Sequence, residues 1–499
     1  MPRLVLALDQ GTTGSTAAFF DADTLTLVAN TKVEFPQIYP KPGWVEHSPD
    51  AIWNSVVKAI QGASEFLKER GSYQMTDLIA VGITNQRETI IAWDRLTGET
   101  AGNAIVWQDR RTAKFCDTLK RNTKLRKEVL KKTGLVCDPY FSGSKIKWMN
   151  ENYSKCKAFA KRGTLLTGTV DSYLIYKLTG GKSAVTDDTN ASRTMLYNLR
   201  SGTYDKELLQ LFGVKESFLP EIRPSAGLFG VTLSVPGIPN GIPITGCLGD
   251  QQAALFGHDA LKKGEGKITY GTGAFLLMNT GKDLSTSDNG MLTTVAYSEK
   301  GSRAFAFEGS AFIAGAAIQF LRDNFHWFKS APESDALAVS VPRDPNLTFI
   351  PALAGLGAPF WNPEAKGVLF GLTRGTKKAQ IIRAVLESIA LQNVQILKLM
   401  ESSLKQRIRR LGVDGGAAKS DFLMQFQADT VRVVLQRLQT TEITALGGAK
   451  IALRGLGEFP KNINLTEKTF KPKISPKEAN LIVSAWNKAA SAVDVFYKS

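Results

Sequence analysis

The apolar segment Leu4-Val-Leu-Ala-Leu8 runs into Asp9-Gln-Gly-Thr-Thr-Gly-Ser15 and out again through Ala17-Ala-Phe-Phe20. Two apolar strands joined by a turn rich in glycine and hydroxyls make a hairpin. Strands that are apolar on every residue, not on alternate ones, belong to a sheet covered on both faces, which restricts the chain to an α/β layer fold. A second unit of the same kind follows: Gly266-Lys-Ile-Thr-Tyr270, the turn Gly271-Thr-Gly273, then Ala274-Phe-Leu-Leu-Met278. The architecture therefore reads as duplicated. Further strands are expected over 78–84 and 242–246. A helix is expected over 380–400, where Ile382, Val385, Leu386 and Ile389 recur at helical spacing, and another after the capping pattern Ser475-Pro-Lys-Glu478. Segments 459–464 and 471–476 read as extended surface chain.

At 499 residues, with 43% hydrophobic and 22% charged residues, the chain is long enough for two or more domains, each with its own core. Cys116, Cys137, Cys156 and Cys247 are too few and too scattered for a disulfide framework, so a reducing, cytoplasmic location is expected. The apolar run at the N-terminus is too short for a signal peptide, and no stretch approaches the roughly 20 residues of a membrane span. The net charge is +16, from 62 Lys+Arg against 46 Asp+Glu. Its densest cluster, Lys120 to Lys132, has no interleaved aromatics and reads as the wet face of a helix, not as a nucleic-acid surface.

Tight Gly/Thr turns present backbone N–H groups that converge on an anion, and Gly11–Gly14 and Gly271–Gly273 are two such turns. Asp9, just before the first, is placed to hold Mg²⁺ or simply to initiate the turn. Gly181-Lys182-Ser183 carries the end of a phosphate loop, but Tyr176 stands where its first glycine belongs. None of His47, His258 and His326 falls in a triad or metal-ligand pattern. Phosphoryl transfer to a hydroxyl needs a carboxylate to accept the proton. Asp250, at the start of an apolar helix, is the best candidate, with a plain helix cap as its other reading.

The stretches DQGTTGS (9–15), PKPGWVEH (40–47), GITNQRET (82–89), NAIVWQDRRT (103–112), TNASRT (189–194), GDQQAALFG (249–257), YGTGAFLLMNTG (270–281), PALAGLGAPFW (351–361) and VDGGAAKSDFLMQFQAD (413–429) occur in this order. Together they resemble the FGGY carbohydrate kinases of the actin-like ATPase superfamily, in particular members that act on glycerol. The resemblance implies two actin-like (ribonuclease H-like) α/β domains, 1–253 on the glycerol and phosphate side and 254–499 on the adenine nucleotide side, around a central catalytic cleft. It implies ATP-dependent phosphorylation of glycerol to sn-glycerol 3-phosphate with Mg²⁺ at Asp9 and Asp250, and Asp250 as general base. By position, Arg87, Glu88, Trp107, Tyr140, Asp250, Gln251 and Phe275 would hold glycerol. Thr12, Thr13, Gly14 and Thr272 would meet the phosphates of ATP or ADP, and Gly315, Gln319, Gly416 and Ser420 would line the adenosine pocket. Gly14 and Thr16 stand where many relatives have Ser and Arg, Ser420 where they have Asn, and Lys450 and Arg454 fall in a stretch that is smaller and more apolar in relatives. A homodimer or homotetramer is expected. The alternatives are a kinase of another small polyol or sugar, and an actin-like regulator that binds nucleotide without turnover.

Overall fold

The computed structural model describes residues 2–285, 290–357, 360, 362–460 and 463–498. Ala358, Pro359 and Trp361 of one motif, and Lys461 and Asn462 of one expected extended segment, lie outside the described residues.

Thirteen strands of the described residues form one sheet. In the first half these are β1 (Leu4–Gln10), β2 (Gly14–Asp21), β3 (Leu27–Glu34), β4 (Leu78–Asn85), β5 (Ala226–Val231) and β6 (Pro243–Gly249). In the second they are β7 (Glu265–Tyr270), β8 (Ala274–Gly281), β9 (Leu292–Glu299), β10 (Ser302–Ala311), β11 (Arg410–Asp414), β12 (Val434–Leu438) and β13 (Thr466–Phe470). In the first half β3, β2 and β1 form an antiparallel meander, and β4 and then β6 add to β1 in parallel. In the second half β10, β8 and β7 form the same meander, and β11 and then β12 add in parallel. Both expected hairpins therefore seed the same topology, and the chain is duplicated as its sequence suggests. The halves meet where β5, antiparallel to β6, pairs with β9 at one register position, Ala226 opposite Glu299. Beside it two serines bridge the strands: Ser225 N–H donates to Ser298 Oγ (2.9 Å) and Ser298 N–H to Ser225 Oγ (3.2 Å).

The two-sided burial of β1 explains its unbroken apolar sequence. Leu4, Leu6 and Leu8 pack with α1 (Pro49–Arg70) on one face. Val5 and Ala7 pack on the other face against Ala445, Ala449 and Ala452 of an alanine- and glycine-rich helix, Ile443–Gly455. That helix comes from late in the chain, yet it covers the first half so closely that a Cβ at Gly82 would lie 2.0 Å from Gly448 O. It also carries Lys450, whose ammonium meets Gly257 O (2.8 Å) and Asp259 (2.7 Å), and Arg454, paired with Glu299. The expected helix over 380–400 is Lys378–Leu404, and its apolar stripe packs under Ile268, Tyr270 and Leu276.

One expectation fails. The basic run 120–132 is not one helix but the meeting of two, Ala113–Arg121 and Thr123–Thr133, because the Asn122 side chain accepts from Leu125 N–H (3.2 Å) and caps the second. Lys124, Arg126, Lys127 and Lys131 are exposed, as a solvated face requires. The four cysteines are free and buried, and no described helix is long and apolar enough to cross a membrane.

Candidate active site

The parallel strands β4 and β6 end side by side, with Asn85 opposite Gly249, and both deliver site residues from their C-terminal ends. After β4 the chain turns through Arg87 and Glu88, where Glu88 takes a left-handed backbone (φ 62°) that a non-glycine residue adopts at a cost of about 1–3 kcal/mol. The turn drives both charged side chains inward until they are almost wholly buried. After β6, Gly249 caps a helix (α2, Asp250–Gly257), making Asp250 its first residue and not its cap. Asp250 Oδ1 accepts from Gln251 N–H (2.7 Å) and stands 3.2 Å from Arg87 Nε, with about a third of the side chain (32%) open to solvent.

Buried charge demands a partner, and the partners here come from far along the chain. Arg87 Nη1 and Nη2 donate to the two carboxylate oxygens of Glu308 on β10 (2.6 and 3.2 Å), and Nη1 also reaches Gln252 Oε1 (3.3 Å). Arg193 donates from Nε to Glu88 (2.6 Å) and from Nη2 to Glu308 (3.0 Å). Burial alone would raise the Glu308 carboxyl, but Arg193 and Arg87 outweigh it and hold it down at about 2. Glu88, where burial outweighs the same arginines, is displaced upward. Sequence reasoning missed Glu308, Arg193 and Lys267. The fully buried Lys267 ammonium on β7 donates to Thr269 Oγ1 (2.7 Å) and to the side-chain carbonyl of Gln251, and burial lowers it to about 8.

Trp107 and Tyr140 meet edge to face, ring centroids 5.5 Å apart, and Trp107 Nε1–H donates to Thr12 Oγ1 (3.0 Å). The aromatic wall thus touches the first glycine turn, which is closed by Gly11 N–H to Gly14 O (2.8 Å). Asp9, at the end of β1, is pushed up to about 8, first by burial and then by the Asp250 and Glu442 carboxylates, with Lys32 acting against them. Phe275 is half-buried on β8, with Thr269 and Ser310 as its register partners, on the face of the sheet that also carries Lys267 and Glu308.

The second glycine turn, closed by Gly271 N–H to Gly273 O (2.9 Å), is buttressed by a helix (Gly315–Phe325) whose Gly315 N–H donates to Gly271 O (2.9 Å). A Cβ at Gly315 would stand 2.6 Å from that oxygen, so only glycine allows the helix this close. Gln319 lies exposed one turn along the helix. Gly415 (φ 90°) carries the chain past Tyr270 O, 2.4 Å from a notional Cβ, and leaves Gly416 facing open space next to the same turn. Ser420 is engaged on both sides: its Oγ accepts from Leu423 N–H (3.0 Å), capping the helix Asp421–Val431, and donates to Asp335 Oδ1 (2.8 Å). Gly181-Lys182-Ser183 forms a turn after the helix Val170–Leu178, where Ser183 Oγ donates to Phe229 O (2.6 Å).

Two topologically equivalent halves, each opening with a glycine hairpin, and a carboxylate at a helix start between them define an actin-like phosphotransferase. The chain belongs to the FGGY family of carbohydrate kinases: residues 4–257 match the family's N-terminal domain and residues 266–456 its C-terminal domain. It is 48% identical to a glycerol kinase of Bdellovibrio bacteriovorus over 99% of this chain and 100% of that one. It is 47% identical to a glycerol kinase of Caldanaerobacter subterraneus over 98% of each. Among solved structures it superposes on Plasmodium falciparum glycerol kinase with ADP at a TM-score of 0.92 and 33% identity, covering 99% of this chain and 98% of that one. A xylulose kinase of Lactobacillus acidophilus shares the fold at a TM-score of 0.85 and 23% identity, covering 99% of both chains.

Proposed function

We propose that the protein transfers the γ-phosphoryl group of ATP to the terminal hydroxyl of glycerol, giving sn-glycerol 3-phosphate and ADP. The observation that carries this reading is the cluster of Arg87, Glu88 and Asp250, fixed donors and acceptors suited to vicinal hydroxyls, beside the first of two glycine turns. Full-length similarity to glycerol kinases supports the choice of substrate.

Glycerol would lie with its hydroxyls on Arg87, Glu88 and Gln251 and its carbon edge on Trp107, with Tyr140 behind it. Asp250 takes the hydroxyl proton as the oxygen attacks the γ-phosphorus, and the bond from that phosphorus to the bridging oxygen of ADP breaks in line with the attack. The partly exposed Asp250 carboxylate retains an oxygen free of Arg87 for this task. Asp9 and Asp250 act on each other as like charges, with Lys32 the cation that eases Asp9, and such a donor set suits a divalent ion. Mg²⁺ held there would neutralise charge on the transferring phosphoryl group. The N–H groups of the two glycine turns would cradle the phosphates from opposite sides, so productive binding calls for closure of the 1–253 and 254–499 halves. Free, buried cysteines fit a cytoplasmic enzyme.

A coupled assay for ADP across glycerol, other polyols and sugars tests the reading. Glycerol-dependent ADP formation is expected, and preference for a sugar would replace glycerol as the substrate.

A further inference from the structure

We propose that Glu308 is a positioning residue for the glycerol site, contributed by the second half of the chain to side chains of the first. The inference rests on the glycerol reading of Arg87 and Glu88. Glu308 follows the apolar run Ala304–Phe307 of its strand and precedes Gly309, with Leu277 and Leu292 as its register partners. A carboxylate there is costly unless its partners are close and well directed.

The partners are the two arginines, and the geometry fixes both. A guanidinium is planar and presents its five N–H groups in a rigid fork. Glu308 engages both Nη atoms of Arg87, at 2.6 and 3.2 Å, and Gln252 takes a further Nη1 contact at 3.3 Å. With that end held, the Nε edge is the part turned to Asp250, at 3.2 Å. Glu308 Oε1 also receives Arg193 Nη2 at 3.0 Å, which aims Arg193 Nε at Glu88, at 2.6 Å. One buried carboxylate thus sets the orientation of Arg87 directly and of Glu88 through Arg193.

The consequence lies in what Arg87 would do otherwise. Its next acceptors are Asp250 and Glu88, the latter 3.8 Å from Nε. Released from Glu308, the fork would turn its Nη groups onto these two carboxylates, which occupies the acceptors intended for substrate and covers the base. Glu308 is 4% exposed and has no access to substrate, so it acts only through the arginines.

The test compares Glu308→Gln and Glu308→Asp with the parent in steady-state kinetics for both substrates, alongside thermal melting. Glu308→Gln is expected to raise KM for glycerol about 10- to 100-fold, as loss of a hydrogen bond to a charged group does, while KM for ATP stays within about threefold. Glu308→Asp retains the charge and is expected to recover part of that loss. If the Gln variant does not fold, the Asp variant decides, because its shorter reach alone must raise KM for glycerol selectively. An unchanged glycerol KM in a folded variant, or equal rises in both KM values, overturns the proposal. Arg87→Ala separates the two readings. A raised glycerol KM there with none in the Glu308 variants sinks this inference alone, and an unchanged glycerol KM in Arg87→Ala sinks the glycerol reading and this inference with it.

Discussion

The ammonium of Lys267, on the strand that leads into the second glycine turn, hydrogen-bonds the side-chain carbonyl of Gln251, the residue after Asp250. Burial lowers Lys267 to about 8 despite the Asp414 and Asp250 carboxylates, so the fold tolerates its charge without needing it. Lys267→Met is therefore expected to leave Tm unchanged or slightly raised. The amide of Gln251 loses its anchor, and KM for glycerol should rise about 3- to 10-fold, the effect of one hydrogen bond. Kinetics with and without saturating ATP will separate this from a general loss of activity.

Asp250→Asn tests whether the carboxylate is the base. Gly249 already occupies the cap position, so the fold does not depend on the carboxylate and Tm should hold. On the proposed mechanism the substitution removes the proton acceptor, and kcat should fall by at least about 100-fold while glycerol affinity stays within about tenfold. A folded variant with full kcat would remove Asp250 from the chemistry.

Asp9 is expected to make stability depend on pH and, on the proposed reading, on divalent ions. Its pKa is raised in the folded state to about 8 from 3.8, so the stability it contributes is complete below pH about 4 and is lost as pH rises towards 8. Over that range the ion-free protein should melt progressively lower on this account, and Mg²⁺ with nucleotide should reverse the trend by favouring the ionised carboxylate. Asp9→Asn should flatten the pH dependence of Tm and abolish the Mg²⁺ response. A Tm profile that is the same in both proteins would contradict the assignment.

Thr16 of β2 faces Lys32 of β3 in register, and the exposed Lys32 is the cation that opposes the upward shift of Asp9. A positive charge is therefore present at the edge of the first glycine turn although residue 16 carries none. Lys32→Ala should raise KM for ATP about two- to fivefold at low ionic strength, with the difference fading near 1 M salt as screening takes over. Glycerol KM should not move.

Ser420→Ala should cost about 1 kcal/mol, seen as a lower Tm, because it uncaps the helix Asp421–Val431. Since the hydroxyl proton is committed to Asp335, KM for ATP should change less than about threefold. A larger rise would mean that the serine meets the nucleotide directly.

How much of this was legible beforehand follows from chain distance. Both hairpins, the duplicated topology and Asp250 at a helix start are local patterns, written within about 15 contiguous residues each. Arg87 and Glu88 were visible as a charged pair after a strand, and their role came from resemblance to a family. Glu308 and Lys267 carried a real signal, a charge set among residues of a strand that is otherwise buried, which is stable only against a partner. That partner, for Glu308, stands 221 residues away, and no periodicity reports such a pairing. The break at Asn122 went unread because a run of lysines and arginines looks the same on one helix or two.

The joint between β5 and β9 gives the sheet uneven stiffness. A torque on either half is resisted along the whole length of the ladder between β1 and β2, but at the joint by one backbone pair and the crossed hydroxyls of Ser225 and Ser298. Hydroxyls reorient about a single bond, whereas ladder amides are fixed in the peptide plane. Within the sheet the joint is thus a compliant strip, and load between the halves passes instead through the helix Ile443–Gly455 packed on β1, β4 and β6 and through the buried contacts of β9 and β10 with the first half, Gln252 to Thr294 and Arg87 to Glu308.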